Sequence, residues 1–287
     1  MPISQDIINL YDSFTHGVIG RRAFLDRLAK LAGGATGATM MLAALQNNYA
    51  VAGLIAEDDG RLAISTAFYP GPDGKTNVYI ASPKATAKRP SVIVIHENRG
   101  LNAHIKDIAR RIALEGFNAI APDLLSTTGG TPADEDKARD LIGKLDPAKA
   151  ADTLSDLIAP VRARADSNGK IGAIGFCWGG GMTNQLAVRA AELGAAVAYY
   201  GPQPDTADVP KIKAALMLHY AGKDERIGAG IPAYEAALKA AKTDYQLFIY
   251  EGVQHAFNND TNAARYDKTA AELAWSRTVT FLKAKLA

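Results

Sequence analysis

Among 287 residues there is one cysteine, which rules out an internal disulfide and every Cys-rich metal motif. No apolar run approaches the ~20 uninterrupted residues that a membrane span requires. Charge of neither sign is in excess: 32 Lys and Arg against 30 Asp and Glu leave a formal net charge of +2. With no dense basic stripe either, a role on nucleic acid or an acidic surface has little electrostatic support. Internal repeats and low-complexity linkers are missing from residue 62 onward. What is present is a chain 48% hydrophobic and 22% charged. Such a chain buries a sizeable core, and its length allows one large domain or two small ones.

The text divides near residue 55. Within residues 3–14, Ile7, Ile8, Tyr11 and Phe14 recur as one side of a helix would, and His16-Gly17 break the pattern. Residues 21–45 are rich in Ala, Leu and Met, with several glycines. The stretch GRRAFLDRLAKLAGGATGATMMLAALQ, followed by Ala50-Val51-Ala52 as an A-x-A cleavage site, resembles a twin-arginine export signal. Gly20 where Ser or Thr is usual, Asp26 where Lys is common, and the residues ahead of the pair speak for the other reading. That reading is an amphipathic helix pair packed on the body or on a partner subunit, and the apolar segment 31–45 makes a helix-mediated homodimer its natural extension.

From residue 62 the pattern alternates. Apolar runs at 76–81, 92–96, 118–121, 171–176, 195–200, 214–220 and 245–250 read as strands. Helical patterns fall between them at 102–115, 133–144, 148–165, 182–192, 232–241 and 263–284. Continuous apolar strands alternating with helices predict one α/β domain over 56–287, with a mostly parallel sheet covered on both faces.

The cysteine lies in GAIGFCWGGGM, after one such strand and before a helix. In open α/β sheets ligands bind at the carboxyl ends of strands. Gly175-Phe176-Cys177-Trp178-Gly179 is the G-x-S-x-G elbow with sulfur in place of oxygen. A nucleophile on so sharp a turn has a strained backbone, and side chains at Gly175 and Gly179 would collide with the neighbouring strand and helix. The helix start favours a thiolate, and the Trp178 amide is placed to donate to an oxyanion. The plain alternative is a small buried packing residue.

A nucleophile of this kind needs a base and an acid to orient it, in the chain order nucleophile, acid, histidine. His16 lies outside the domain, His96 and His104 precede Cys177, and His219 sits inside an apolar strand. His255, in the loop after the last strand, is the candidate base. Asp224, after the penultimate strand, is the candidate acid, with Glu225 beside it. In SVIVIHENRGLN a strand ends at Glu97, and the next amide, Asn98, is where α/β-hydrolases place the second oxyanion donor. Glu97 reads either as a second functional carboxylate or as a buried partner of local backbone.

Together the HENRGLN segment, G-F-C-x-G-G, the Asp224 loop and the H-x-F loop resemble dienelactone hydrolase (carboxymethylenebutenolidase), in particular its HENRGLN-bearing bacterial subgroup. The resemblance covers roughly residues 62–287, and the Arg-Arg-x-Phe-Leu segment extends it to the N-terminus. It implies an α/β-hydrolase fold, Cys177 as nucleophile, His255 as base, Asp224 as its orienter, and Glu97 as the carboxylate that pairs with the resting thiol. Thiol and carboxylate then share one proton and titrate together. One departure stands out: where the family has a substrate-binding arginine four residues after the histidine, this chain has Asn259. Arg99 and Trp178 are the candidate substrate contacts.

The expected activity is therefore hydrolysis of a small-molecule ester or lactone through a thioester, with no metal and no organic cofactor. A thiol redox sensor on the same fold and a thiol acyltransferase are the alternatives.

Overall fold

The computed structural model describes residues 3–49 and 53–287. The proposed cleavage site at residues 50–52 lies outside the described residues. The elements are α1 (Gln5–Thr15), α2 (Arg21–Leu31), α3 (Ala35–Leu45), β1 (Leu62–Gly71), β2 (Gly74–Pro83), β3 (Arg89–Ile95), α4 (Ala103–Leu114) and β4 (Asn118–Pro122). They continue with α5 (Glu135–Ile142), α6 (Pro147–Asp156), α7 (Ile158–Arg162), β5 (Ser167–Phe176), α8 (Trp178–Arg189), β6 (Ala195–Tyr199) and β7 (Ala215–Ala221). The last four are α9 (Glu225–Gly228), α10 (Ile231–Ala240), β8 (Tyr245–Tyr250) and α11 (Lys268–Lys285).

The strands form one sheet in the order β1-β2-β4-β3-β5-β6-β7-β8, antiparallel at β1–β2 and β2–β4 and parallel elsewhere. This is the mostly parallel sheet that the sequence pattern predicts, of the α/β-hydrolase type that the resemblance implies. Successive side chains of a strand face opposite ways, and both sets are apolar here. Val92, Val94, Ile174 and Val197 pack under α4 and α11, with Ile105, Ile108, Ile112 and Phe281. Their neighbours Ile93, Ile95, Ala173 and Ala198 pack on the other face against Leu154, Leu186 and Leu238 of α6, α8 and α10. Two cores on one sheet explain why the strands read as continuous apolar runs.

Three of the differences from the sequence expectation have a plain physical cause. β1 carries no continuous apolar run: it is an edge strand, open along much of its length, and Phe68 is 68% exposed. The helix expected over 148–165 is two, α6 and α7, because Pro160 lacks the N–H that would bond the Asp156 carbonyl. α8 starts at Trp178, four residues before the expected start at 182, since three glycines hide its beginning from a propensity reading.

The N-terminal helices build a small cluster of their own, in which Phe14 stacks on Phe24 with ring centroids 4.5 Å apart. α2 and α3 are bent by 112° at Gly33-Gly34, whose φ values of 75° and 124° favour glycine. No single helix among the described residues is long and apolar enough to cross a membrane. Polar contacts tie this cluster to the rest of the chain. Arg265 donates to Asp12 at 2.8 Å, Asn262 Nδ2 to the Leu45 carbonyl at 2.8 Å, and Asn98 Nδ2 to the Thr15 carbonyl at 2.8 Å. Arg21, the first of the twin arginines, pairs with Asp136 at the start of α5.

Candidate active site

Loops after β3, β5, β7 and β8 meet at the carboxyl edge of the sheet. β5 ends at Phe176, and Cys177 adopts φ 54°, ψ −118° before α8 begins. The two flanking glycines are required by contact. A Cβ on Gly175 would lie 2.1 Å from the Gly179 carbonyl oxygen, and one on Gly179 would lie 2.3 Å from that of His96. Four non-glycine residues among those described have positive φ, and three of them, Cys177, Tyr200 and Ala256, sit in this corner. Strained backbone of that kind collects at functional sites.

Asp224 follows β7 and caps α9, its Oδ1 accepting from the Ile227 amide at 3.2 Å. Its Oδ2 accepts from His255 Nδ1 at 2.5 Å, while Glu225 stays exposed. That bond places the imidazole proton on Nδ1 and leaves the Nε2 lone pair facing the sulfur. His255 Nε2 is buried, makes no hydrogen bond among the described residues, and lies within 4.8 Å of Cys177 Sγ. Burial pushes the Asp224 carboxyl up, but the charge and hydrogen bond of His255 outweigh it and hold Asp224 at about 2. Burial likewise pushes His255 down, but the charges of Cys177 and Asp224 carry it to about 10. That rise depends on an ionised sulfur, so it belongs to the thiolate–imidazolium pair. Beside a neutral thiol the Nε2 of His255 is bare, and once the proton has crossed the ring holds it firmly, the two groups sharing one proton.

Glu97 follows β3 and is buried in the same small cavity as Cys177 and His255. Its Oε2 accepts from Asn259 Nδ2 at 2.8 Å and its Oε1 from the Tyr200 hydroxyl at 3.4 Å. The asparagine standing in place of the expected arginine is therefore a clamp on Glu97. His96, fully buried, fixes the loop: its ring hydrogen-bonds the Glu97 carbonyl at 2.7 Å and stacks on Trp178 at 5.5 Å. The amides of Asn98 and Trp178 have no acceptor among the described residues. For Trp178 the reason is general, since the first N–H groups of a helix have no intrahelical partner.

Arg99, the candidate substrate contact, lines the small cavity with Cys177, Glu97 and His255, while its guanidinium is engaged with α5. It is buried, and its guanidinium donates to the Glu135 carbonyl at 2.9 Å and pairs with Asp136 at 3.3 Å. A short path to α5 and two acceptors there hold it more firmly than an open cavity would. His219 is a packed strand residue, hydrogen-bonded to Tyr250 and Thr278 at 2.9 and 3.1 Å.

His16, set apart in the sequence as lying outside the domain, is at the centre. Its Nε2 is 3.4 Å from Cys177 Sγ, and its ring meets His255 edge-on at 4.7 Å. Nδ1 bonds the Asp12 carbonyl at 2.8 Å, one helical turn back. Burial, with His255 and Arg226 nearby, holds its pKa well below 6.5, so the ring is neutral. The one sequence hint was a histidine ending an amphipathic helix; nothing ties position 16 to position 177 along the chain. A second unforeseen residue is Arg226, which with His16, Arg139, Ile142, Trp178 and Cys177 lines a cavity of about 430 Å³. That is the size of a small-molecule site. Among the described residues Arg226 makes no ion pair.

Comparison with known proteins places this arrangement among relatives. The sequence matches the dienelactone hydrolase family over residues 76–286, and a family described as YqhI-like over residues 2–34. A Saccharolobus solfataricus protein provisionally named a carboxymethylenebutenolidase is 35% identical over 254 residues, 75% of this chain and 96% of that one. An Escherichia coli K12 protein with the same provisional name is 32% identical over 242 residues, 79% of this chain and 88% of that one. Among solved structures, a Klebsiella pneumoniae protein provisionally titled a dienelactone hydrolase superposes with a TM-score of 0.71 at 29% identity. The match covers 77% of this chain and 98% of that one.

Proposed function

This chain belongs to the dienelactone hydrolase family, and from that premise we propose that it hydrolyses a small ester or lactone through a thioester on Cys177. The observation that carries the proposal is the Asp224–His255 bond of 2.5 Å, which aims the bare Nε2 of His255 toward the strained elbow that holds the sulfur.

The steps follow from the geometry. His255 Nε2 takes the thiol proton, and Sγ attacks the substrate carbonyl carbon. A C–S bond forms and the carbonyl oxygen becomes an oxyanion, facing the free amides of Asn98 and Trp178. Each such donor is worth roughly 2.7–4 kcal/mol in the transition state. The oxyanion collapses, the C–O bond to the alkoxide breaks, and the imidazolium gives its proton to the departing oxygen. In a lactone this opens the ring. Water then attacks the thioester, with His255 taking its proton, and the acid leaves as the thiol is restored. Asp224 orients the ring and balances its charge throughout.

Glu97 is the acid we assign to the thiol's surroundings in the substrate-free site, where the sulfur's own hydrogen-bond contact is His16 Nε2 at 3.4 Å. The burial of Glu97 in the same cavity supports this, and Asn259 and Tyr200 hold it in place. Of the cations lining the larger cavity, Arg139 is paired with Asp136 and Asp140, whereas Arg226 and Lys144 make no ion pair among the described residues. We assign Arg226, which also lies near Asp224, to receive a substrate carboxylate. Trp178, walling the same cavity, serves as the apolar contact. Helices α1–α3 are assigned as an extension that covers the site, the alternative for residues 1–55 being an export signal, and residues 56–287 as the hydrolase domain.

The decisive experiment is hydrolysis of a p-nitrophenyl ester by wild type, Cys177→Ala and His255→Ala. It is paired with mass spectrometry for an acyl adduct on Cys177 across a panel of lactones and esters. Equal rates in all three proteins would sink the assignment.

A further inference from the structure

The hydrolytic reading uses Cys177 and His255 but gives His16 no task. Around the sulfur, three ligand atoms converge: Cys177 Sγ, His16 Nε2 and His255 Nε2 all lie within 4.8 Å of one another. Both imidazoles are locked in the same sense. His16 Nδ1 bonds the Asp12 carbonyl at 2.8 Å and His255 Nδ1 bonds Asp224 at 2.5 Å, so each turns a lone pair inward. The cluster has one proton, that of the thiol, for two imidazole acceptors. The thiol reaches His16, and His255 Nε2 is left buried with no hydrogen-bond partner among the described residues.

Two histidines that each hand the second ring N–H to a carbonyl or carboxylate, with a thiolate between them, are the donor set of a thiophilic cation. We propose that His16, Cys177 and His255 bind a thiophilic divalent cation of the Zn²⁺ class, and that its occupancy switches the active site off.

The dimensions agree. With metal–sulfur and metal–nitrogen bonds of about 2.3 and 2.0–2.1 Å, the ligand atoms of a tetrahedral site lie roughly 3.3–3.6 Å apart. The His16–Cys177 pair already stands at 3.4 Å. His255 closes the remaining gap by a small shift of its ring. His16 and Cys177 both line the cavity of about 430 Å³, which gives water a route to a fourth position. On binding, the thiol proton is released and the metal takes its place. The buried carboxylates of Glu97 and Asp224 offset the added positive charge. A sulfur bound to metal no longer attacks a carbonyl, and a ligated His16 pins the N-terminal helices over the site. Metal binding stands on this geometry alone, whereas its effect as a brake rests on the hydrolase reading.

The test titrates the reduced full-length protein with Co²⁺ and then with Zn²⁺. One Co²⁺ should bind with a thiolate-to-metal charge-transfer band and the intense visible bands of a four-coordinate ion, and Zn²⁺ should displace it. His16→Ala, checked for folding by circular dichroism, should bind more than about a hundredfold more weakly, since even an outer-shell partner of a metal ligand is worth 10–100-fold. His16→Gln serves as a second variant. Co²⁺ binding by wild type without the charge-transfer band, or equal affinity in wild type and the folded variants, overturns the site. Ester hydrolysis followed in parallel should stop with stoichiometric Zn²⁺ and return with EDTA. An active enzyme that gives no charge-transfer band defeats the metal site and leaves the hydrolase. A protein with the band and no esterase activity defeats the hydrolase reading and leaves the metal site.

Discussion

His16 Nε2 stands 3.4 Å from Cys177 Sγ, a contact that spans 161 positions of the chain. The helix carrying it is held from below by Arg265, which is buried and donates to Asp12 at 2.8 Å on the same turn whose carbonyl fixes the His16 ring. The N-terminal helices are thus part of the site's wall, and how firmly they sit governs what reaches the sulfur.

Asp12→Ala should loosen that wall. It leaves the Arg265 guanidinium buried without its carboxylate, a loss of about 3–5 kcal/mol for a fully buried pair. Asp12 is partly exposed, so a smaller cost of about 1–3 kcal/mol is expected. Hydrogen exchange in α1 should speed up, and a protease should cut more readily near Gly17-Val18, while exchange in β5 and β6 stays slow.

Gly179→Ala should be among the most damaging single changes. The added Cβ would meet the carbonyl oxygens of His96 at 2.3 Å and Ile95 at 2.5 Å, both backbone atoms that have nowhere to move. A loss of about 3 kcal/mol or more, at the upper end of overpacking costs, is expected in urea unfolding. Gly228→Ala, where a Cβ has nothing within 4 Å, should change stability by no more than about 0.5 kcal/mol.

Asp224→Asn should change how stability responds to acid. The carboxyl sits at about 2 in the folded chain against 3.8 ordinarily. A depressed pKa contributes stability above the unfolded value, and that contribution is lost as pH falls through the folded one. The shift corresponds to about 2 kcal/mol. Denaturant midpoints of wild type and variant should therefore keep a constant gap from neutral pH down to about 5 and draw together as pH falls toward 2. A gap that stays constant to pH 2 would show that the Asp224–His255 pair carries no such linkage.

Arg226→Ala should separate substrates by charge. If Arg226 receives a carboxylate at the mouth of the cavity, KM for a carboxylate-bearing ester or lactone should rise about tenfold, the worth of ~1.4 kcal/mol. kcat should hold and the KM of a neutral ester should rise far less. A uniform change across charged and neutral substrates would remove Arg226 from substrate recognition.

How much of this was legible varies with the residue. The parallel sheet could be read because its interior strands are apolar on both faces, and β1 escaped because an edge strand need not be. The order of Cys177, Asp224 and His255 was visible because each ends a β-rich run, and strand ends are where an α/β sheet presents side chains. Glu97 was visible as a carboxylate closing an apolar run. Asn259 looked like a missing arginine and proved to be the partner of Glu97. Arg99 lines the cavity beside Cys177, as its place next to Glu97 suggests, but its bonds to α5 leave no trace in the sequence.

The sequence by itself determined the elbow: a lone thiol between glycines whose Cβ atoms would strike backbone, since local sterics act between near neighbours and leave a mark in composition. Only the tertiary structure decided what stands against the sulfur. His16 comes from a helix far away in sequence, brought in by Arg265, Asn98 and Asn262, and a contact between distant segments leaves no periodicity or spacing to read. The loops fixed which residues ended at the carboxyl edge of the sheet, and the packing of α1 fixed which histidine faces the thiol there.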